Sequence, residues 1–148
     1  MPDVKFLALL PTNANASDRV TSMSVTGTLL QNPQQFSVNF VNSPDCTDNI
    51  TYHFKVIIPT QTIVENYKRN GEWSSLHQEK YLNIFDESSF CLEFAFDYDN
   101  STMRVYQGRE AGHNFITQYE TLFSLSDIQA VQVWGDVQKV NQFSLAYN

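Results

Sequence analysis

Residues 50–79 read ITYHFKVIIPTQTIVENYKRNGEWSSLHQE, and the fold follows from how this stretch is read. Ile50, Tyr52, Phe54 and Val56 alternate with Thr51, His53, Lys55 and Ile57. That period of two belongs to a strand with one buried face. The apolar side points to a core, and the other side carries His53 and Lys55. Pro59 ends the run, because proline has no N–H to give to a ladder. A second run follows over residues 62–67. With Ile63 inward, Thr62, Val64 and Asn66 share the outer face. Asn70-Gly71 is a tight-turn pair, since both residues tolerate positive φ. Trp73 stands just beyond it. The expectation is an antiparallel pair that shows His53, Lys55, Asn66 and Trp73 side by side on a solvent-facing sheet surface.

The same alternation recurs outward from this stretch. Phe36, Val38 and Phe40 alternate with Ser37, Asn39 and Val41. Phe90, Leu92, Phe94 and Phe96 alternate with Cys91, Glu93 and Ala95. Further strands are expected over residues 4–10, at an edge, and over 19–30, with Val25 and Leu29 inward and a bulge or bend at Gly27. Others fall at 81–85, through Met103 and Val105 to Gly108, through Phe115 and Tyr119 after a turn at Gly112, at 128–134 and at 143–147. Loops or turns are expected at 11–18, Asn32-Pro33, 42–49 and 97–101. Leu125-Ser126-Asp127 reads as one helical turn, since Ser and Asp favour helix starts. No amphipathic helix of three turns is present. Ten or eleven short strands with regular turn signals indicate an all-β sandwich or barrel, in one domain over residues 1–148.

Composition narrows the partners. The 148 residues suffice to bury a core, and 14% aromatic content with 11 Phe suits strands. The net charge is −7, from 9 basic and 16 acidic residues. Nucleic acid and anionic membrane surfaces are therefore poor partners, because a phosphate array repels this balance. No apolar run reaches the length of a membrane span. Residues 6–10 are too short an apolar run for a signal-peptide core. The expected location is cytoplasmic, or extracellular by a route without a signal peptide; a leader removed before this chain begins stays open. Cys46 and Cys91 read as two thiols or as one disulfide, and no CxxC pair exists to hold zinc. Sequons at Asn15, Asn49 and Asn100 read as chance matches in an Asn-rich chain.

The outer face of the central strands has two readings. His and Asn on one strand face ordinarily mean only that water lies there. Trp73 is either a core residue or an exposed platform. As a platform, its flat face stacks on the C–H face of a pyranose while His53 and Asn66 bond hydroxyls. Glu65, Glu72 and Glu79 lie nearby, yet nothing sets two carboxylates across a glycosidic bond, so solvated surface is the expectation for them. His53, His77 and His113 have no ligand spacing, so no metal is expected. Asp97-Tyr98-Asp99-Asn100 lacks the glycine and terminal glutamate of a calcium loop and reads as a hairpin turn. No GxSxG, Walker or dinucleotide glycine motif occurs, so no enzyme and no cofactor is expected.

Together these segments resemble the galectins, the β-galactoside-binding lectins. The resemblance rests on TGTLLQNPQQFSVNF (26–40), ITYHF (50–54), TIVENYKRNGEW (62–73) and LSDIQAVQVWGDV (125–137). It implies a jelly-roll sandwich of two antiparallel sheets with the sugar in a groove on the concave sheet. It also implies no metal, no catalysis, reduced thiols and non-classical export. His53 matches the histidine that bonds the axial galactose hydroxyl, Asn66 the asparagine that bonds the hydroxymethyl, and Trp73 the stacking tryptophan. Lys55, Asn39, Gln78 and Glu79 complete the candidate sugar-binding set. The departures are specific. The family's His-x-Asn-Pro-Arg is His53-Phe54-Lys55-Val56-Ile57 here, so Lys55 replaces the asparagine and Ile57 the arginine. Leu76 and Gln78 stand where the family has a glutamate and an arginine. Glu79 lies three positions past that glutamate.

The His-Phe-x-Val pattern resembles the branch of the Charcot–Leyden crystal protein and its placental relatives, where the galactoside site is altered. The expected function is a non-enzymatic glycan-binding lectin with weakened or altered β-galactoside preference. Its partners are glycans or glycoproteins, neutral, acidic or sulfated. A homodimer through edge strands is a further expectation. The competing readings are an interaction module that has lost sugar binding and, least favoured, a glycosidase on a similar sandwich.

Overall fold

The computed structural model describes residues 3–12, 18–108 and 114–147. The expected turn at Gly112, His113 and the Asn15 sequon lie outside these residues. Among the described residues, twelve strands form two antiparallel sheets. They are β1 (Val4–Leu9), β2 (Val20–Leu29), β3 (Gln35–Ser43), β4 (Cys46–Ile57), β5 (Thr62–Arg69), β6 (Glu72–Trp73), β7 (Gln78–Tyr81), β8 (Ser89–Asp97), β9 (Thr102–Gln107), β10 (Asn114–Glu120), β11 (Ala130–Gly135) and β12 (Val137–Tyr147). One sheet runs β1-β11-β3-β4-β5-β6, with β7 also on β5; the other runs β10-β9-β8-β2-β12. The 3-10 turn Leu125–Asp127 is capped by Ser124, whose side chain accepts from the Ser126 N–H.

Each sheet turns its apolar side to the other. Tyr52, Phe54 and Val56 of β4, Phe36, Val38 and Phe40 of β3, and Leu92, Phe94 and Met103 of the opposite sheet are fully buried. Phe94 bridges the layers, edge-on to Phe40 at 5.1 Å and to Phe54 at 5.5 Å between centroids. Such offset and edge-on geometry suits the ring quadrupoles. The strand expected at an edge, over residues 4–10, is one: β1 borders one sheet, and β12 borders the other. Cys46 and Cys91 are free thiols.

Several expectations need correction. The strand expected at 81–85 lies earlier, at β7, paired with β5 through Val64↔Glu79 and Ile63↔Lys80. Beyond it Gln61 holds the chain out of a ladder, since its side chain bonds both the N–H and the carbonyl of Phe85. The loop expected at 42–49 shrinks to a hairpin, because β3 and β4 still pair at Ser43↔Cys46. β2 runs unbroken through Gly27; the register shift lies on β12, between Val140 and Gln142. Gly27 instead leaves room for Phe90, whose ring would lie 2.4 Å from a Cβ there. Phe115 is 55% exposed, turned out by a register shift beside it and set against Tyr106.

Glu65 departs furthest from its expected solvated state. It alternates with Asn66 and so faces inward, fully buried. Tyr52 Oη donates to its Oε2 at 2.5 Å and Thr117 Oγ1 to its Oε1 at 3.0 Å. Lys80 Nζ lies 3.9 Å away and donates to Thr117 Oγ1 at 2.5 Å. Burial raises the Glu65 carboxyl above its usual range of 4.5, against the pull of Tyr52, Thr117 and Lys80. The folded state therefore holds this proton more tightly than the unfolded chain. The stabilisation from proton uptake is complete below the unfolded value and fades as pH rises through the folded one. Glu65→Gln removes that titration. Denaturant unfolding from about pH 4 to pH 7 is expected to show wild type losing stability relative to Glu65→Gln as pH rises. A difference that stays flat contradicts the buried-carboxylate assignment.

Candidate functional site

The outer face of the seven-stranded sheet carries a groove of about 700 Å³. The residues on this face of the sheet fall in rows set by strand register, since directly opposed residues share a face. One row runs Gln132–Asn39–His53–Asn66 across β11, β3, β4 and β5. The next runs Trp134–Ser37–Lys55–Val64–Glu79 across β11, β3, β4, β5 and β7. Trp73 rises at the far side. The Asn70-Gly71 turn puts it there, with φ of 52° and 84° as a two-residue hairpin needs.

His53 sits in the middle, and it is not solvent-facing as the sequence implied. It is 9% exposed and Asn66 is 8% exposed. The Trp73 ring lies 4.5 Å from the imidazole, centroid to centroid, and Trp134 lies 6.0 Å from it. Asn39 fixes the tautomer. Its Nδ2 donates to Ser37 Oγ at 2.9 Å and to the Gln132 carbonyl at 3.3 Å. Its Oδ1 is therefore the acceptor, and His53 Nδ1 donates to it at 2.5 Å. The proton on Nδ1 leaves Nε2 as a bare acceptor. Burial first, then the charges of Lys55 and Lys68, lower the His53 pKa to about 3, so the ring is neutral.

The remaining groups complete a polar, one-sided surface. Asn66 Nδ2 donates to the Ser74 carbonyl at 3.1 Å, and its Oδ1 accepts from the Tyr67 N–H at 2.8 Å. Each end of the amide keeps one further hydrogen-bonding capacity. Trp73 is 43% exposed, with Lys68 Nζ 5.2 Å from its ring centre. Lys55 lines the groove and is in none of the ion pairs among the described residues.

The structure brings His53, Lys55, Asn66 and Trp73 together on the groove. Asn39 lies beneath them, fully buried, as the support of His53. Gln78 does not join them: it pairs with inward-facing Glu65 and so lies on the other side of the sheet. Glu79 is on the groove side of β7, its Oε2 3.8 Å from His77 Nε2, but does not line the groove. Leu76 is 76% exposed and also outside it. Trp134 was not among the expected site residues. The signal was present in the alternation of Gln132 and Trp134 with Val131 and Val133.

Comparison with known proteins bears on the family and the fold. The sequence model described as galactoside-binding lectin matches residues 5–145. The sequence matches no curated protein. Among solved structures, sheep galectin-11 in complex with glycerol is similar at 16% identity and a TM-score of 0.75, covering 99% of each chain. The Caenorhabditis elegans galectin LEC-6 is similar at 12% identity and a TM-score of 0.72, over 99% of this chain and 93% of that one. At such identities the likeness is one of fold.

The tautomer and charge of His53 are open to direct measurement. Long-range 1H–15N NMR is expected to show the proton on Nδ1 and a ring that stays neutral from pH 8 down to about pH 4. Titration near the ordinary value of about 6.5 contradicts the buried, Asn39-held ring.

Proposed function

The chain belongs to the galactoside-binding lectin family, the galectins, and from that premise we propose that its groove binds galactosides weakly when they are neutral and better when they carry a negative charge. As a galectin it is a glycan-binding lectin. The observation that carries the finer reading is the company His53 keeps: Trp73 on one side and Lys55, two residues along the same strand and in no ion pair among the described residues.

The chemistry fits a pyranose. Neutral His53 Nε2 accepts from a hydroxyl, Asn66 both gives and takes a hydrogen bond, and Trp73 offers its face to the ring's C–H bonds. Ile57 opposes Gln35 and Thr62 at the groove end where the family has arginine. It supplies no donor, whereas arginine presents a fork of them. A charge-assisted hydrogen bond contributes about 1.5–3 kcal/mol, so its loss weakens a neutral galactoside by about tenfold or more. Lys55 offers a compact cation in place of a neutral amide. It attracts a sulfate or carboxylate but does not replace the missing fork.

A glycan array with paired neutral and sulfated galactosides tests this. Wild type is expected to prefer the sulfated members, Lys55→Ala to lose that preference, and Trp73→Ala to lose both. Equal binding of the two sets by wild type contradicts the role given to Lys55. Trp73-independent binding contradicts the site.

A further inference from the structure

A second imidazole stands on the groove, in surroundings unlike those of His53. His77 lies between β6 and β7, is exposed, and lines the groove together with Lys55 and Val64. Its Nε2 is 3.8 Å from Glu79 Oε2. Glu79 opposes Val64 across β7 and β5, and Val64 opposes Lys55 across β5 and β4. The three share one side of the sheet, about 10 Å from end to end at the usual strand spacing. Val64 is thus an apolar floor with an ammonium on one side and the His77–Glu79 pair on the other.

The charge around this floor turns on one proton. With His77 neutral, the Glu79 carboxylate opposes what Lys55 offers an anion. A protonated His77 pairs with that carboxylate and cancels it, which leaves the Lys55 charge uncontested. Histidine is the side chain suited to such a change between about pH 5 and pH 8. The other groups facing the groove do not supply it. His53 holds its neutral form down to about pH 3. Asp136 accepts from the N–H groups of Gln34 and Gln35 at the far end, where Asp3 lies 3.4 Å from Lys5. Lys68 sits 5.2 Å from the Trp73 ring centre. Glu65 and Lys80 alternate with Asn66 and Glu79 and so lie on the inner face, and Glu72 opposes Arg69 on the side away from Trp73.

We propose that His77 is a specificity-determining residue of the groove: on gaining a proton it neutralises Glu79 and lets Lys55, across Val64, hold a sulfated or carboxylated galactoside, so that the preference for acidic glycans strengthens as pH falls. This rests on the galactoside reading above. The test is isothermal titration at about pH 7.5 and about pH 5.5 with neutral methyl β-galactoside and with its monosulfates, one for each ring hydroxyl. Sulfate keeps its charge across this range, so any gain belongs to the protein. The best-bound monosulfate is expected to bind wild type about fivefold more tightly at the lower pH, and the neutral sugar to change little. In His77→Gln the ratio of the two dissociation constants is expected to fall to about one. His77→Lys is expected to hold the tighter affinity at both pH values.

A ratio near one in wild type, a ratio that His77→Gln keeps, or an equal gain by the neutral sugar overturns the role of His77 and leaves the galactoside reading in place. The last of these would trace the gain to a group acting on both probes, such as buried Glu65. If neither probe binds at either pH, or Trp73→Ala leaves binding unchanged, the galactoside reading falls and this role with it. Thermal melts at both pH values show that each variant compared is folded.

Discussion

A strand has two faces, and β4 uses both. Tyr52, Phe54 and Val56 enter the core between the sheets, while His53 and Lys55 line the groove. A slip of one residue would exchange the two sets, burying Lys55 and exposing three large apolar side chains. The register of β4 against β3 and β5 is thus fixed by the core and, once fixed, arranges the site. His53 meets Asn39 on one side and Asn66 on the other for the same reason that Phe54 meets Val38 and Glu65.

Electrostatics then refine what the register arranges. The Asn39 amide is oriented by its bonds to Ser37 and Gln132, and it passes that orientation to the imidazole as a choice of tautomer. Burial keeps the ring uncharged. In the proposed reading a neutral acceptor beside a lysine divides the work, with hydroxyls assigned to His53 and negative charge to Lys55. The same strand pair carries a second polar network on its inner face, where Glu65, Tyr52, Thr117 and Lys80 tie the two sheets together. Groove and core network are back to back, on Asn66 and its neighbour Glu65.

What the sequence disclosed was local. Alternation gave both faces of β4, the Asn70-Gly71 turn gave the place of Trp73, and Leu125-Ser126-Asp127 gave the helical turn, whose cap is Ser124. What it hid depends on partners far along the chain. A glutamate in a strand reads as solvated until Tyr52, Thr117 and Lys80 are known to converge on it from three other strands. Trp134 reads as the end of a strand until β11 is known to lie beside β3, two strands from His53. β7 was placed too late because its four residues pair through β5 and carry little apolar signal of their own. Gln78, matched to the family by spacing alone, turned out to face the opposite side, since β7 shifts which residues point to the groove.

The most direct test of the site is a 1H–15N NMR titration with a sulfated galactoside, followed at every backbone amide and both indole N–H groups. The shifts are expected to gather on β3, β4, β5 and β6 around His53, Asn66 and Trp73, with the five-stranded sheet of β2, β8, β9, β10 and β12 unmoved. Shifts centred on that second sheet, or none at saturating sugar, would contradict a galactoside groove built around His53.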